Sequence, residues 1–417
     1  MDDVLTSMAV FWALMLLTYF LMQNGLSIFN DVAKSMGMFM LEKALGPGID
    51  LVEGRPGSAS KAWIMQGLLW LLAASTLTFE GLWMMHDPLA LHSLSAWGYS
   101  PTSGSLLYAG NYAVLYGGIG MLLIGAGLHI LPRLARTELA SEKNAALVSF
   151  LWTISVLVLV IGAHDSEVLG INIIFVGTVM HVVAFLAILT NQLLTVSKRQ
   201  GALAIPGWLI IFGLLADPVA TAAIFVSGSV ETGVGQWLLG HMVGGTFFFA
   251  SAAGIALYAS SSASGNPLWS RSLAAAVLVG SIATISPMGE IDGRMAADML
   301  GLNFGELHVT SEDNLVAAFL MALATIPIMA LAANVLITLR GGDAFVENAD
   351  SAGTAELNLG ASMLLPLAIG SLFIQSDAFA ATPEFSGLAG TLMLMGIWLI
   401  LVPFSLGAAL HLFPTVT

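Results

Sequence analysis

Long apolar runs, separated by short polar connections, constrain the fold of this chain more than any other feature. Hydrophobic residues make up 57% of its 417 residues, and charged residues only 9%. A soluble core of this size cannot shield so much apolar surface from water, so lipid must be the solvent for most of the chain. The sequence contains no cysteine, which excludes disulfides and thiolate metal sites. A net charge of −14 excludes a basic nucleic-acid-binding surface.

The apolar runs have the length of membrane spans. A helix needs about 20 mostly apolar residues to cross the hydrocarbon core of a bilayer. The sequence therefore predicts an all-α fold, a polytopic transmembrane helical bundle of about eleven spans. These predicted spans are 9–29, 62–85, 106–132, 146–163, 170–196, 205–228, 236–260, 270–288, 313–339, 358–376 and 387–412.

The basic residues predict the orientation of the spans. With eleven spans, 11 of the 12 lysines and arginines fall in odd-numbered loops, and only Arg294 falls in an even-numbered one. Because basic residues concentrate on the cytoplasmic side, we expect the N-terminus outside and the C-terminus inside a prokaryotic-type plasma membrane. Asp2 and Asp3 replace the basic start of a signal peptide, so the first span is predicted to be retained.

Three ionisable residues are predicted to lie well inside the bilayer, where such groups are costly and commonly functional. Asp217 and His181 lie near the middle of their spans, and His241 lies about five residues in from the outer face, at about 1.5 Å of rise per residue. Asp217 is interpreted either as a proton-relay carboxylate or as a polar partner in a helix kinked by Pro218. His181 is interpreted either as a proton-path residue or as a hydrogen-bonded packing element.

Other polar groups are predicted nearer the membrane surfaces. Side chains close to span ends can reach the interface; these are Glu80, His129 and His411. Four further histidines fall in outer loops or at outer helix ends without metal-ligand spacing, namely His86, His92, His164 and His308. One outer loop contains six carboxylates, interpreted as a solvated face with cation attraction as the alternative: Glu290, Asp292, Asp298, Glu306, Glu312 and Asp313.

Nucleotide-binding, zinc-protease and serine-hydrolase motifs are absent from the sequence, but four segments carry a more specific signal. They are AGNYAVLYGGIGMLLIGAGLHILPR at 109–133, QWLLGHMVGGTFFFASAAGIALYASSSASGNPLWSRS at 236–272, TIPIMALAANVLITLRG at 325–341 and LGAALHLFP at 406–414. In order and spacing they resemble the catalytic subunit I of the haem–copper oxidase superfamily, nearest to nitric oxide reductases and oxidases fed by c-type cytochromes. The resemblance implies a domain of ten core helices over 62–417, preceded by an extra helix and a cytoplasmic loop over 1–61.

The same resemblance implies that most cofactor ligands are missing. Haem and copper are the family's cofactors, and His241 stands where a copper ligand stands. The family's haem-ligand positions fall on Asn111, Leu392 and Leu394, and its histidine pair in the seventh helix falls on Met288 and Gly289. A bis-histidine haem needs two imidazoles and a copper centre normally three. We therefore expect apolar side chains to fill much of the space that cofactors occupy in the family.

Three functions follow from these observations. The first is a non-catalytic subunit of a respiratory-type complex, packed against other membrane subunits and lipid, in which Asp217 and His181 line a residual proton path. The second is an active oxidase or nitric oxide reductase with haem held by a rewired set such as His181, His241 and His411. The third is a transporter or proton channel that uses Asp217 and His181.

Overall fold

The chain is a helical membrane protein. The computed structural model describes residues 3–24, 50–51, 53–227, 242–283, 311–341 and 354–374. Within these ranges, ten long helices run in chain order: α1 Asp3–Asn24, α2 Ser58–His86, α3 Ser103–Ala135, α4 Glu142–His164, α5 Ile173–Ser197, α6 Ile205–Ser227, α7 242–264, α8 Arg271–Ala283, α9 Ser311–Arg340 and α10 Thr354–Ile374. A short 3₁₀ helix, His92–Trp97, follows α2.

Six of these helices, α2 to α7, are long and apolar enough to cross a membrane. In the parts of α1, α8, α9 and α10 that the structure describes, the apolar helical stretches are shorter. The prediction of an all-α membrane bundle is thus confirmed. The number of eleven spans and the orientation stay predictions, and the predicted span 387–412 lies outside the described residues.

The fifth predicted span begins later than its hydropathy suggests. Instead of starting at residue 170, α5 starts at Ile173, because the preceding residues form a small antiparallel hairpin between Glu167–Val168 and Ile171–Asn172. Leu169 and Gly170 turn the chain with positive φ angles of 54° and 77°. The apolar residues at the start of this run therefore belong to a surface turn, and Asn172 caps α5 by accepting from the N–H of Phe175.

Helix α3 lies at the centre of the bundle, almost wholly buried, in contact with α2, α4, α5, α6 and α7. Glycines allow its close approach to α2. A methyl group on Gly117 would lie 2.5 Å from Cγ of Trp70, and one on Gly125 would lie 2.8 Å from Cγ1 of Ile64. These glycines let two helix backbones pack where any side chain would hold them apart.

Polar contacts join α2 to α4, which is distant in sequence. The carboxylate of Glu142, in the first turn of α4, accepts hydrogen bonds from the backbone N–H of Gly57 (2.8 Å) and Ala59 (3.0 Å). Three residues further along α4, the carbonyl of Ala145 accepts from the indole of Trp63 (2.9 Å). Glu142 thereby satisfies N–H groups at the start of α2 that have no partner within the helix.

A substitution at Gly117 tests the close packing of α3 on α2. Gly117→Ala should destabilise the protein by about 1–3 kcal/mol, because the added methyl group forces Trp70 to move in a dense interior. Thermal unfolding in detergent, followed by tryptophan fluorescence, measures the change. Gly104→Ala is the matched control, since its methyl group meets only the Thr102 hydroxyl, at 3.9 Å. Equal melting temperatures for the two variants would contradict the proposed contact.

Candidate functional site

The candidate site lies where α3, α4, α5, α6 and α7 meet. Two of these helices widen into π-helical segments beside it, Ala113–Gly120 in α3 and Met242–Ala250 in α7. Such segments are rare and are frequent at functional sites. The two segments lie close together, since the rings of Tyr116 and Phe248 are 6.5 Å apart.

His181, on α5, is buried, with 4% of its surface exposed. Its Nδ1 lies 2.9 Å from the hydroxyl of Ser155 on α4, and that hydroxyl donates to the carbonyl of Trp152 at 2.7 Å. A hydroxyl has a single proton, so Ser155 accepts the second hydrogen bond from Nδ1–H of the imidazole. This tautomer leaves a lone pair on Nε2, a buried atom that has no hydrogen-bond partner.

Aromatic rings enclose the imidazole. The ring centres of Trp152, Tyr116 and Phe185 lie 4.1, 4.4 and 5.1 Å from that of His181. Phe185 in turn contacts Phe247 on α7 at 4.9 Å. His181 is therefore a polar group enclosed by a tightly packed, largely aromatic cluster.

The indole of Trp152 also fixes the π-helical segment of α3. Its Nε1 donates to the carbonyl of Tyr116 at 2.9 Å. Helix widening disturbs the regular pairing of backbone carbonyls, and a side-chain donor supplies a partner where lipid offers none. The same two residues pack on His181, so one hydrogen bond holds two walls of the site together.

Asp217, on α6, is the second buried ionisable group of the site, with 5% of its surface exposed. Its Oδ2 has no hydrogen-bond partner among the residues that the structure describes. Pro218 follows it inside the helix, and the missing N–H of the proline removes the partner of the carbonyl of Leu214. The Asp217 carboxyl lies near enough to the phenol of Tyr116 for the two groups to interact electrostatically. Tyr116 is thus a neighbour of both Asp217 and His181.

The other predicted site residues are distributed differently. Asn111 lies half-buried in α3, two residues before the π-helical segment begins at Ala113, and carries an amide that does not ligate haem iron. The remaining predicted ligand positions and two histidines lie outside the described residues; these are His241, Met288, Gly289, Leu392, Leu394, His308 and His411.

Histidines expected near the membrane surfaces are found both inside and outside the bundle. His86 and His92 are exposed, in agreement with the prediction. His129 is buried rather than interfacial, with 8% of its surface exposed, because α3 is surrounded by helices along its length. His164 lies 3.1 Å from the hydroxyl of Ser105 through its Nδ1. Beside it, burial and the nearby Glu80 carboxylate raise the pKa of Tyr99.

The described residues do not fit the family's haem and copper sites. Among them, no three side chains of His, Cys, Asp or Glu come together as a metal site would require. His181 is an imidazole with a free Nε2, but protein atoms enclose that nitrogen and aromatic rings pack on the imidazole. Among the described residues, aromatic side chains rather than a second ligand lie against the imidazole.

No family model matches the chain, and no curated protein has a significantly similar sequence. The geometry of the site therefore carries the functional argument.

Sequence reasoning found Asp217 and His181 but missed their partners. The prediction rested on ionisable groups at membrane depth, and Tyr116, Trp152 and Ser155 are not in that class. A signal was present: Trp152 and Ser155 are three residues apart in the fourth span, which places them on one face of a helix. Their relation to His181 depends on packing between helices, which the spacing alone does not give.

Ser155→Ala tests the anchoring of His181. The change leaves the buried Nδ1–H without an acceptor, so the free energy of unfolding should fall by about 1–3 kcal/mol. Thermal unfolding in detergent measures it. Ser75→Ala serves as control, because its exposed hydroxyl donates only to the carbonyl of Leu72 in its own helix. A Ser155→Ala protein as stable as the control variant would show that the hydrogen bond contributes little.

Proposed function

We propose that this chain is a non-catalytic integral membrane subunit of a respiratory-type complex, with a bundle like that of haem–copper oxidase subunit I in which packed side chains replace redox cofactors. One observation carries the proposal: among the described residues where α3 to α7 meet, the imidazole of His181 is enclosed by aromatic rings. An empty cavity of haem size would be costly, so a bundle that has lost its cofactors should fill the space with large apolar groups.

The outer surface supports a role among other membrane components. Helix α1 exposes large apolar side chains, including Phe11 at 54% and Leu14 at 56%. Contiguous apolar surface of this kind marks contact with lipid or with a partner. In this proposal α1 faces lipid or a neighbouring subunit in a prokaryotic-type plasma membrane, with its N-terminus outside.

Asp217 and His181 provide a residual proton path in this proposal. Both are buried, and each has a polar atom without a hydrogen-bond partner. A carboxyl group can release a proton, and the free Nε2 of His181 can accept one. Tyr116 packs on His181 and interacts with Asp217. Its hydroxyl can both donate and accept a hydrogen bond, so it can pass a proton from one group to the other.

Haem analysis tests the loss of cofactors. The chain purified in detergent should contain no stoichiometric haem in a pyridine haemochrome assay, because the family's haem-ligand positions fall on Asn111, Leu392 and Leu394 and aromatic rings enclose His181. Total-metal analysis should likewise give no stoichiometric copper. A Soret band that disappears in a His181→Phe or His241→Phe variant would instead favour the active enzyme with rewired ligands.

The unpaired polar atoms of Asp217 and His181 also favour a second function, in which the chain conducts protons or transports a substrate without partners. The test is proton uptake by liposomes that contain this chain alone, driven by a potassium diffusion potential. Asp217→Asn should reduce the uptake by about tenfold or more, since an amide cannot ionise within the membrane.

The control for this measurement is Asp165→Asn, which changes an exposed carboxylate beyond the end of α4. It should leave the uptake unchanged. Uptake that is the same in wild type and in both variants would argue against a proton path through Asp217, whether in the isolated chain or in a complex.

A further inference from the structure

Gln192, on α5, is the polar side chain that the site described above leaves unexplained. It is fully buried, and neither its Nε2 nor its Oε1 has a hydrogen-bond partner. The adjacent Asn191 donates from Nδ2 to the carbonyl of Ser141 at 2.8 Å, but its buried Oδ1 has no partner either. Buried amide groups are nearly always hydrogen-bonded, so three such atoms at one level of the bundle require a physical reason.

Gln192, Asp217 and His181 lie at successive depths from one end of the bundle. Helices α5 and α6 are in contact and are joined by the short connection 198–204, so that both can be measured from the same end. With a rise of about 1.5 Å per residue, Gln192 lies about 8 Å from this end, Asp217 about 18 Å and His181 about 24 Å. His181 and Gln192 are three turns apart on the same buried face of α5.

Small residues and a hydroxyl occupy the interval between Gln192 and Asp217. Beside Gln192 is Gly127 of α3, on which a methyl group would lie 3.6 Å from the amide nitrogen. One turn before Asp217 on α6 is Gly213, and the hydroxyl of Ser251 on α7 lies against it. Ser251 is itself buried, with 3% of its surface exposed. Polar groups thus lie at both ends and in the middle of this interval.

We propose that Gln192, Ser251 and Asp217 line a passage that admits water from the 198–204 end of the bundle to Asp217, with Gln192 as the positioning residue at its mouth. The inference rests on the proposed proton path, for which it supplies the route. By the charge pattern of the loops, this end is the one predicted to face the cytoplasm.

The packing explains how such a passage opens. The polar atoms of Gln192 are enclosed, so water reaches them only when side chains move aside. Gly127 places only backbone beside the amide, whereas a methyl group there would lie 3.0 Å from Cγ2 of Ile210 and 3.6 Å from the amide nitrogen of Gln192. Water that enters the passage can bond to the amide of Gln192, which has no partner among the described residues, and to the hydroxyl of Ser251 further along. Hydration therefore satisfies the groups that dry packing leaves unpaired.

Cysteine labelling tests the passage directly, because the chain contains no cysteine of its own. Ser251→Cys replaces the hydroxyl by a thiol of nearly the same shape, midway along the proposed passage. The full-length variant is reconstituted in liposomes and exposed to a small, charged methanethiosulfonate reagent. The matched control is Ser149→Cys. Ser149 is a fully buried residue of α4 that accepts a hydrogen bond from Gln66 and lies outside the proposed passage.

The proposal predicts that Ser251→Cys reacts about tenfold or more faster than Ser149→Cys, since a dry, close-packed interior excludes the reagent. Adding Gln192→Leu or Gly127→Val should slow the labelling of Ser251→Cys by a similar factor. Adding Thr190→Val, on the exposed face of α5, should leave the rate unchanged. Equal labelling rates for the two cysteines would overturn the proposal. So would a labelling rate of Ser251→Cys that neither blocking substitution changes.

Two comparisons keep this inference separate from the proposed proton path. Each blocked variant is checked for unchanged thermal unfolding, and the two blocking changes on different helices guard against a folding defect in either one. Proton uptake is measured in the same liposomes. Rapid labelling of Ser251→Cys with no effect of Asp217→Asn on uptake would remove the proton path and leave the passage. Uptake that depends on Asp217 while Ser251→Cys stays unlabelled would remove the passage and leave the proton path.

Discussion

Hydrocarbon offers no hydrogen-bond partner, and every polar group in this bundle must therefore find one inside the protein. The result is visible wherever helices meet. Trp152 supplies a donor to the carbonyl of Tyr116 in a widened turn, and Ser155 holds one nitrogen of His181. Against this background of satisfied groups, the unpaired atoms of Gln192, Asp217 and His181 stand out. They lie in one region of the bundle, on two helices in contact, which is why a shared function is the natural explanation.

The sequence was sufficient to predict the helices but not the site they form. Apolar runs and their lengths located α2 to α7 because a lipid-crossing helix leaves a strong, local signal. The start of α5 was wrong by three residues, since hydropathy does not distinguish a hairpin such as 167–172 from the helix that follows. Buried ionisable residues identified Asp217 and His181. The roles of Tyr116 and Ser155 depended on which helices touch, and that is decided by glycine-mediated approach rather than by composition.

The aromatic cluster gives a physical meaning to the resemblance found in the sequence. In a bundle built around cofactors, removing the ligands would leave cavities whose walls lose their packing contacts. Rings such as Trp152 and Phe185 bury large areas and pack edge to face, so they can fill such a volume. His181 is retained among them with a dedicated hydrogen bond to Ser155. A cluster whose only task was filling space would gain stability from an apolar residue at that position.

The link between Glu142 and the start of α2 bears on how the protein is made. The first turn of α2 receives its capping carboxylate from a residue about eighty positions later in the chain. As the chain leaves the ribosome, α2 therefore enters the membrane with those N–H groups still bonded to water or lipid headgroups. Its final position is reached only after α3 and the beginning of α4 have been synthesised. The segment from α2 to the start of α4 is thus the shortest one in which the N–H groups at the start of α2 have their protein partner.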